Sequence, residues 1–200
     1  MREAPACATL ALARRGGPFQ TVEKVSNGNT ERCSVITQND IKTQLARLKS
    51  SGFDAKLTEQ ANAKGFAPSF FFAIASRETN CVNMLGDVQG GEAHGVGIIQ
   101  IDIQHDIART ARDSGSWKTA PDPLIAFGAQ LIANNIAAVA RAFPALGGDD
   151  RLKIAASGYN CGIGSAIAAA QKGDSDARTT GRDYGRDVMA RKAMFEALMA

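Results

Sequence analysis

The 200-residue sequence has few of the residues that build metal sites and no long uninterrupted apolar segment. Its four cysteines show no Cys-x-x-Cys spacing and its two histidines are His94 and His105, so a zinc site is not expected. The longest weakly polar segment, residues 124–143, is interrupted by polar residues such as Gln130 and Arg141, which predicts a buried helix rather than a membrane span. No basic run with interleaved aromatic residues is present, so nucleic acid is not an expected partner.

The composition is that of an ordinary globular protein. Hydrophobic residues make up 44% of the chain and charged residues 22%. These fractions suit one domain with a sizeable core, or a domain preceded by an N-terminal extension. The formal net charge of +3 favours adsorption to polyanionic surfaces. No long exposed apolar face is evident, so a monomer is expected.

The cysteines are even in number and widely spaced, as Cys7, Cys33, Cys81 and Cys161. Such a set permits two disulfides, with three possible connectivities, in an oxidising compartment. The alternative is four unpaired cysteines in a cytosolic protein. Residues 1–13 contain a short apolar run but also an acid and a proline, and they are shorter than a normal signal peptide. We therefore interpret the chain as mature or truncated.

The chain divides into an irregular first part, residues 1–36, and a mostly helical remainder, residues 37–200. Glycine and asparagine punctuate the first part, and no sustained helical period survives there. The remainder shows successive helical patterns with capping and stop signals. The expected helices run from a cap at 37 or 39 to about residue 50, and over about 54–64, 68–80, 123–143, 150–159, 163–172 and 184–198.

A glycine-rich stretch and a short alternating run follow the third of these helices. The glycines from 86 to 97 mark a loop in which the backbone approaches another group closely. Over residues 99–104 isoleucine alternates strictly with polar residues, which predicts a short strand with Gln100, Asp102 and Gln104 on one face. Its isoleucines would point into the core. We therefore predict an α+β fold that is predominantly α-helical, with one small polar-faced β-sheet.

Glu78 is the strongest catalytic candidate in the sequence. It shares one helix face with Phe71, Ile74 and Ala75, which precede it at helical spacing. A carboxyl group among apolar side chains loses solvation of its charged form and can hold a proton near neutrality, as a general acid must. The ordinary alternative is that Glu78 ends this face at the rim of the core and reaches water. The motifs around it favour the first interpretation.

Four ordered motifs resemble those of the goose-type (g-type) lysozymes. They are Ser76-Arg-Glu-Thr79, Gly95-Val-Gly-Ile-Ile-Gln-Ile-Asp102, Tyr159-Asn-Cys-Gly162 and Asp183-Tyr-Gly-Arg-Asp-Val-Met-Ala-Arg191. The resemblance covers roughly residues 37–198, with the motifs in the family's order and at similar spacing. It implies a lysozyme-like catalytic domain over residues 37–200 whose small sheet lines the active-site cleft. The related soluble lytic transglycosylases share the fold and the glutamate, but they lack an acidic residue after the glutamine strand.

The resemblance implies a glycoside hydrolase that cleaves the β-1,4 bond between N-acetylmuramic acid and N-acetylglucosamine in bacterial cell-wall peptidoglycan. Glu78 matches the family's catalytic acid and would protonate the glycosidic oxygen. The family is regarded as inverting, so a second carboxylate should hold a water, and Asp102 and Asp87 match the family's two aspartates. The loop around Asp87 departs from the family pattern, and ungapped spacing would select Glu92 instead. This chemistry needs no metal or organic cofactor.

Four further residues are expected to contact the substrate. The resemblance matches Tyr159 and Asn160 to a Tyr-Asn pair that lines the substrate groove, and Tyr184 to a tyrosine that faces the same cleft. Gln100 shares the predicted polar strand face with Asp102. Without the resemblance, Tyr159, Asn160 and Tyr184 would more often be core or capping residues.

The resemblance also implies a disulfide pairing. In the family's fold the positions of Cys81 and Cys161 should lie near one another, so a bridge between them is expected, and Cys7 is left to pair with Cys33. The first bridge would limit the unfolded chain and brace the active site. A secreted, extracellular enzyme with bacteriolytic or antimicrobial activity is the corresponding expectation.

Three functions are distinguished at this point. The first is the muramidase described above. The second is a lytic transglycosylase, in which Glu78 alone acts as acid and then base while the muramic 6-hydroxyl attacks to give a 1,6-anhydro product. The third is a non-catalytic glycan-binding protein on the same scaffold, which the altered loop at residues 81–95 makes possible. The retained aspartates argue against the second, and the intact Glu78 argues against the third.

Overall fold

The computed structural model describes residues 36–200. The predicted irregular extension therefore lies outside the described residues except for Ile36. The expected Cys7–Cys33 pairing lies outside them as well. The division of the chain into an extension and a catalytic domain stays a prediction.

The described chain is mostly α-helical, with one three-stranded antiparallel sheet. This confirms the predicted α+β class. In chain order the elements are α1 (Gln38–Ser51), α2 (Phe53–Ala63), α3 (Pro68–Thr79), β1 (Leu85–Gln89), β2 (Glu92–Val96), β3 (Ile101–Asp102), α4 (Asp106–Ser114), α5 (Ser116–Thr119), α6 (Asp122–Ala142), α7 (Gly148–Cys161), α8 (Ile163–Ala170), a 3₁₀ turn (Thr180–Arg182) and α9 (Tyr184–Met199).

The predicted helices are present, and α4 and α5 are additional to them. Helix α4 is nine residues long and buries only Ala108 and Ala111, and α5 is only four residues long. At the start of α1 the structure selects Thr37 over Asn39 as the cap, because Thr37 forms a reciprocal capping box with Asp40. The side chain and backbone of Thr37 both donate to the Asp40 carboxylate and lower its pKa.

Helix α3 lies at the centre of the hydrophobic core. Nine of its twelve residues are buried. Pro68 occupies its first turn, where a missing amide hydrogen is tolerated, and Asn80 ends it in the left-handed conformation with φ 53°. Its main partner is α9, and the rings of Phe72 and Phe195 meet edge to face with centroids 5.7 Å apart. The centre of the fold therefore fixes the position of any residue at the end of α3.

The sheet has the order β1–β2–β3, and the strand predicted over 99–104 is much shorter than expected. Only Ile101–Asp102 is strand, because Gln100 has a left-handed backbone with φ 52° that an extended strand does not accommodate. After Asp102 the strand ends in a turn, in which the backbone amide of Gln104 donates to Asp102 Oδ1 at 2.7 Å. Gln100, Asp102 and Gln104 therefore do not form one strand face. Ile99 and Ile101 are buried as predicted, whereas Ile103 is only partly buried.

Helix α6 is, within residues 36–200, the one helix that is long and apolar enough to cross a membrane by length and composition. Its mean hydropathy over the most apolar window is 1.5. In the fold it packs against α7 and α2, with Ile125, Ala129 and Ile132 buried. Only 33% of its most apolar window is buried, so the predicted buried helix is only partly buried, and the absence of a membrane span stays a prediction.

Candidate active site

Glu78 lies one residue before the end of α3, where the buried helix face reaches the surface. Phe71 and Ile74 on the same face are completely buried, whereas Glu78 is partly exposed. The hydroxyl of Tyr184 donates to Glu78 Oε1 at 2.5 Å. Tyr184 is itself only 1% exposed, and its predicted contact with substrate stays a prediction. The buried Tyr184 hydroxyl therefore limits the orientations that the partly exposed Glu78 carboxyl group can adopt.

Tyr184 is the first residue of α9, and a buried carboxylate holds that helix end. Asp176 is completely buried. It accepts hydrogen bonds from the backbone amides of Gly185 at 2.7 Å and Arg186 at 3.0 Å, and from the hydroxyl of Ser157 on α7 at 2.9 Å. Two orphan amides of the first turn of α9 are satisfied in this way. Asp176 therefore ties the helix that carries Tyr184 to α7.

The sequence alone does not indicate a role for Asp176. It precedes Tyr184 by eight positions, whereas a capping signal is sought at the position immediately before a helix. The signal that could have found it is the combination of an acid in a polar segment with a Gly-Arg pair opening the next helix. Even so, its burial depends on Ser157 in another helix, which no local pattern reveals.

The turn at residues 97–100 is fastened to two helices beside Glu78. The hydroxyl of Thr79, the residue after Glu78, donates to the Ile98 carbonyl at 2.7 Å. The hydroxyl of Tyr159 on α7 donates to the Ile99 carbonyl at 2.8 Å. Because both carbonyls belong to one turn, the start of β3 is fixed relative to the end of α3. The predicted substrate contact of Tyr159 stays a prediction, and its hydroxyl has this structural partner.

Asn160 has a comparable local partner. Its side-chain oxygen accepts from the Thr180 amide at 2.8 Å, which attaches the end of α7 to the 3₁₀ turn before α9. The segment that leads into Tyr184 is therefore held by Asn160 as well as by Asp176. Its predicted contact with substrate also stays a prediction.

Gln100 packs its side chain across the middle of the sheet. Its amide nitrogen donates to the carbonyls of Gly97 at 2.7 Å and Met84 at 3.0 Å. Its side-chain oxygen lies so close to Gly86 and Gly95 that a Cβ atom at either position would overlap with it. The two glycines are therefore required for this close approach. The predicted substrate contact of Gln100 stays a prediction, and the structure gives its amide group two backbone partners.

The two candidate aspartates lie on the two outer strands of the sheet, Asp87 on β1 and Asp102 on β3, with β2 between them. Asp102 on β3 is opposite Gly95 on β2, which is opposite Gly86 on β1, so Asp87 immediately follows the row that contains Asp102. Both aspartates are partly exposed. Asp87 has a left-handed φ of 50°, and Gln89 donates to both of its carboxylate oxygens at 3.3 Å. Either carboxylate can accept a hydrogen bond from a water molecule.

Glu92, the alternative to Asp87, lies at the tip of the β1–β2 hairpin. It pairs with Gln89 at the hairpin end of the β1–β2 pair, whereas the Gly86–Gly95 pair lies towards the other end. Its side chain is 70% exposed and stands 3.9 Å from the Arg112 guanidinium. The position next to the Asp102 row favours Asp87 as the loop carboxylate. That assignment remains a prediction.

The expected disulfide between Cys81 and Cys161 is not formed, and the prediction is wrong for this structure. Cys81 has a left-handed φ of 61°, and its thiol points into the core, 3.8 Å from Gln44 Oε1 and 4.0 Å from the Phe72 carbonyl. The sulfur of Cys161 is 3.8 Å from the Gly162 carbonyl at the end of α7. Burial raises the pKa of Cys81 to about 12, so its thiol is protonated and slow to react at neutral pH.

Within the described part of the chain, no group of three or more His, Cys, Asp or Glu side chains could hold a metal ion. His105 packs its ring against Phe127 with centroids 4.9 Å apart. The expectation that no cofactor is needed stays a prediction.

A glutamate at the end of a buried helix, next to a small antiparallel sheet in a mostly helical fold, is the arrangement of a lysozyme-type glycoside hydrolase. A family model, described as lysozyme g, matches residues 23–197 of this chain. The chain therefore belongs to the lysozyme g family, and it is a glycoside hydrolase. The match begins before residue 37, the predicted start of the catalytic domain.

Individual relatives give the same result at low identity. The chain is 27% identical to a lysozyme g of Epinephelus coioides over 189 residues, which are 90% of this chain and 91% of that protein. It is 28% identical to the Gallus gallus lysozyme g over 64% of this chain and 56% of that protein. For the Takifugu rubripes lysozyme g the identity is 29%, over 66% and 67% of the two chains.

Proposed function

We propose that the protein is a muramidase that hydrolyses the β-1,4 bond between N-acetylmuramic acid and N-acetylglucosamine in bacterial peptidoglycan, with Glu78 as the general acid. The contact between the Glu78 carboxyl group and the buried Tyr184 hydroxyl at 2.5 Å is the main support for this role. A proton-donating group must be held at one place beside the bond that it cleaves. Glu78 reaches solvent from a rigid helix end and meets that requirement.

In the proposed reaction, Glu78 transfers its proton to the glycosidic oxygen while the bond from that oxygen to the anomeric carbon breaks. A water molecule attacks the anomeric carbon from the opposite face of the sugar. Its proton passes to a second carboxylate, for which we propose Asp102 together with Asp87. After the transfer Glu78 is a carboxylate, and the hydroxyl of Tyr184 stabilises that charge by a charge-assisted hydrogen bond.

The two aspartates suit this role because both are partly exposed and both belong to the small sheet, Asp87 on β1 and Asp102 on β3, with β2 between them. In inverting glycosidases the acid and the base stand about 6.5 to 9.5 Å apart, which leaves room for the water. The turn at residues 97–100 connects β3 to Thr79, the neighbour of Glu78, through the Thr79–Ile98 hydrogen bond. The separation between Glu78 and Asp102 is therefore under structural control.

We propose that the protein acts outside the cell as a secreted, bacteriolytic monomer, because peptidoglycan is its proposed partner. The net charge of +3 supports adsorption to anionic bacterial walls. Residues Tyr159, Asn160 and Gln100 would line the groove next to the cleaved bond, in addition to their structural hydrogen bonds.

The alternative function is a lytic transglycosylase, and one observation favours it. Asp102 accepts from the Gln104 amide and Asp87 from the Gln89 side chain, so both aspartates have local roles that would exist without any attacking water. In that case Glu78 would act alone, as acid and then as base. The third function, glycan binding without catalysis, is the outcome if no cleavage depends on Glu78.

The aspartate roles predict both a rate and a product. Asp87→Asn and Asp102→Asn are each expected to lower kcat on soluble peptidoglycan strands by about 10²-fold, since the amide cannot accept the proton of the water. Proton NMR of the freshly cleaved wild-type product should show the α-anomer first, because inversion at a β-linked carbon gives α. Asp106→Asn, at an exposed residue of α4, is the control and should retain wild-type activity. Initial β-anomer, or full activity of both aspartate variants, would contradict the assignment.

A further inference from the structure

Arg77, the residue before Glu78, contacts Asp183 and Asp187, which lie before and after Tyr184 in the sequence, as well as the Tyr184 ring. Its Nη2 donates to Asp183 at 2.9 Å and its Nη1 to Asp187 Oδ2 at 3.0 Å. The guanidinium carbon lies 5.6 Å from the centre of the Tyr184 ring, within the range of a cation–π interaction. Arg77 on α3 therefore binds the first turn of α9. That turn carries Tyr184, whose hydroxyl donates to Glu78.

Asp187 Oδ2 also accepts a hydrogen bond from the guanidinium of Arg191. Arg191 in turn contacts Ser76, which lies two residues before Glu78. Arg191 Nε donates to Asp187 Oδ2 at 2.6 Å. Its Nη1 donates to the Ser76 hydroxyl at 2.8 Å and to the Ser76 carbonyl at 3.3 Å. The Ser76 hydroxyl in turn donates to Gln44 Oε1 at 2.5 Å. We call Arg77, Asp183, Asp187 and Arg191 the clamp.

The clamp is charged, partly buried and balanced in sign. Burial opposes the charge of Arg77, but Asp187 and Asp183 outweigh it and hold the pKa of Arg77 above its usual value. Burying such groups costs desolvation, so a buried ion pair often contributes little net stability compared with apolar residues of similar size. The distinctive property of the clamp is its geometry. The planar guanidinium of Arg77 lies between two carboxylates, and this arrangement fixes the position of α9 along α3.

We propose that Arg77 and Asp187 are positioning residues, which set the register of α9 on α3 and thereby hold the Tyr184 hydroxyl on the Glu78 carboxyl group. This role rests on the proposed function of Glu78. It also gives a physical reason for the Ser-Arg-Glu-Thr and Asp-Tyr-Gly-Arg-Asp motifs, whose members face one another across the α3–α9 interface. Loosening the clamp lets Tyr184 move away from Glu78 without removing any group that touches the substrate.

Asp187→Asn is the direct test, because it keeps the size of the side chain and removes its charge. Below the melting temperature of the variant, kcat on soluble peptidoglycan strands is expected to fall about tenfold, since small misplacements of a catalytic group cost rates of this order. KM should stay within about twofold of wild type, because no substrate contact is lost. The matched control is Lys192→Met. Lys192 is a buried cation of the same helix that pairs with Asp149 and Glu196, and its loss should lower Tm with kcat unchanged.

A double-mutant cycle with Tyr184→Phe separates positioning from general destabilisation. If Asp187 acts through the Tyr184 hydroxyl, then Asp187→Asn should cost less than about twofold in kcat once that hydroxyl is gone. An equal tenfold loss in both backgrounds would overturn the proposal, and so would a fall in Tm with unchanged kcat. Failure of the proposed function has a different signature, since Glu78→Gln would then keep the wild-type kcat whatever the result for Asp187→Asn.

Discussion

Glu78→Gln is expected to lower the rate of glycosidic bond cleavage by about 10²- to 10⁴-fold, because the amide has no acidic proton to give to the leaving oxygen. Glutamine has the size of glutamate, and its side-chain oxygen can still accept from the Tyr184 hydroxyl. The fold and the substrate groove should therefore be retained, with the loss confined to kcat. Release of new reducing ends from purified peptidoglycan measures the rate, and clearing of bacterial wall suspensions gives a second reading.

The control for this variant is Glu92→Gln, at the exposed carboxylate on the hairpin tip. We expect it to retain wild-type activity, since Glu92 is placed away from the row that contains Asp102. Thermal unfolding of Glu78→Gln should match wild type within a few degrees. Activity of Glu78→Gln above about a tenth of wild type would contradict the role of Glu78 as the general acid.

Asp176→Ala is expected to lower the free energy of unfolding by about 3 kcal/mol or more, the largest stability loss that we expect of a single substitution. It leaves the amides of Gly185 and Arg186 without this acceptor and removes one of the partners of the Ser157 hydroxyl, which still reaches the Lys153 carbonyl and Ser175. For a domain of this size such a loss corresponds to roughly 6–12 °C in Tm. Urea unfolding followed by circular dichroism measures the first quantity, and calorimetry the second.

Asp150→Ala, at an exposed aspartate in the first turn of α7, is the matched control. Its cost should be about 0.5 kcal/mol or less, because surface substitutions away from buried networks are nearly neutral. Similar losses for both variants would show that Asp176 is not the anchor of α9. The position of Asp176 also predicts reduced activity in the folded variant, since the first residue of α9 is Tyr184.

The helix that carries Glu78 could be predicted from sequence because all of its signals are local. Pro68 opens it, apolar residues repeat at helical spacing up to Glu78, and Asn80 ends it in a left-handed conformation. Helix α6 could be predicted for the same reason, from its periodic apolar residues and the Pro144 beyond its end. Elements of this kind are determined mainly by their own residues.

The sheet could not be predicted in the same way, because its geometry depends on distant partners. The alternation over 99–104 fits an extended strand, yet Gln100 adopts a left-handed backbone and its amide reaches the carbonyls of Met84 and Gly97. Strands β1 and β2 are rich in glycine and polar residues, which predict a loop when read alone. They become strands by pairing with each other, with β2 also pairing to β3.

The support around the site was also hidden from the sequence. Arg77 and its partners Asp183 and Asp187 are more than 100 residues apart in the chain, so no local window contains both ends of the contact. The Cys81–Cys161 pairing failed for a related reason. A disulfide depends on the direction of both side chains, and the left-handed backbone at Cys81 turns its thiol into the core.

Mass spectrometry of the fragments released from purified peptidoglycan, with Glu78→Gln as the control, tests the proposed hydrolysis most directly. The proposed mechanism predicts fragments that end in reducing muramic acid, each one water heavier than the anhydro form, and their absence from the Glu78→Gln digest. Fragments that end in 1,6-anhydromuramic acid would contradict hydrolysis and leave Asp87 and Asp102 with structural roles only. Equal release by wild type and Glu78→Gln would contradict catalysis by Glu78.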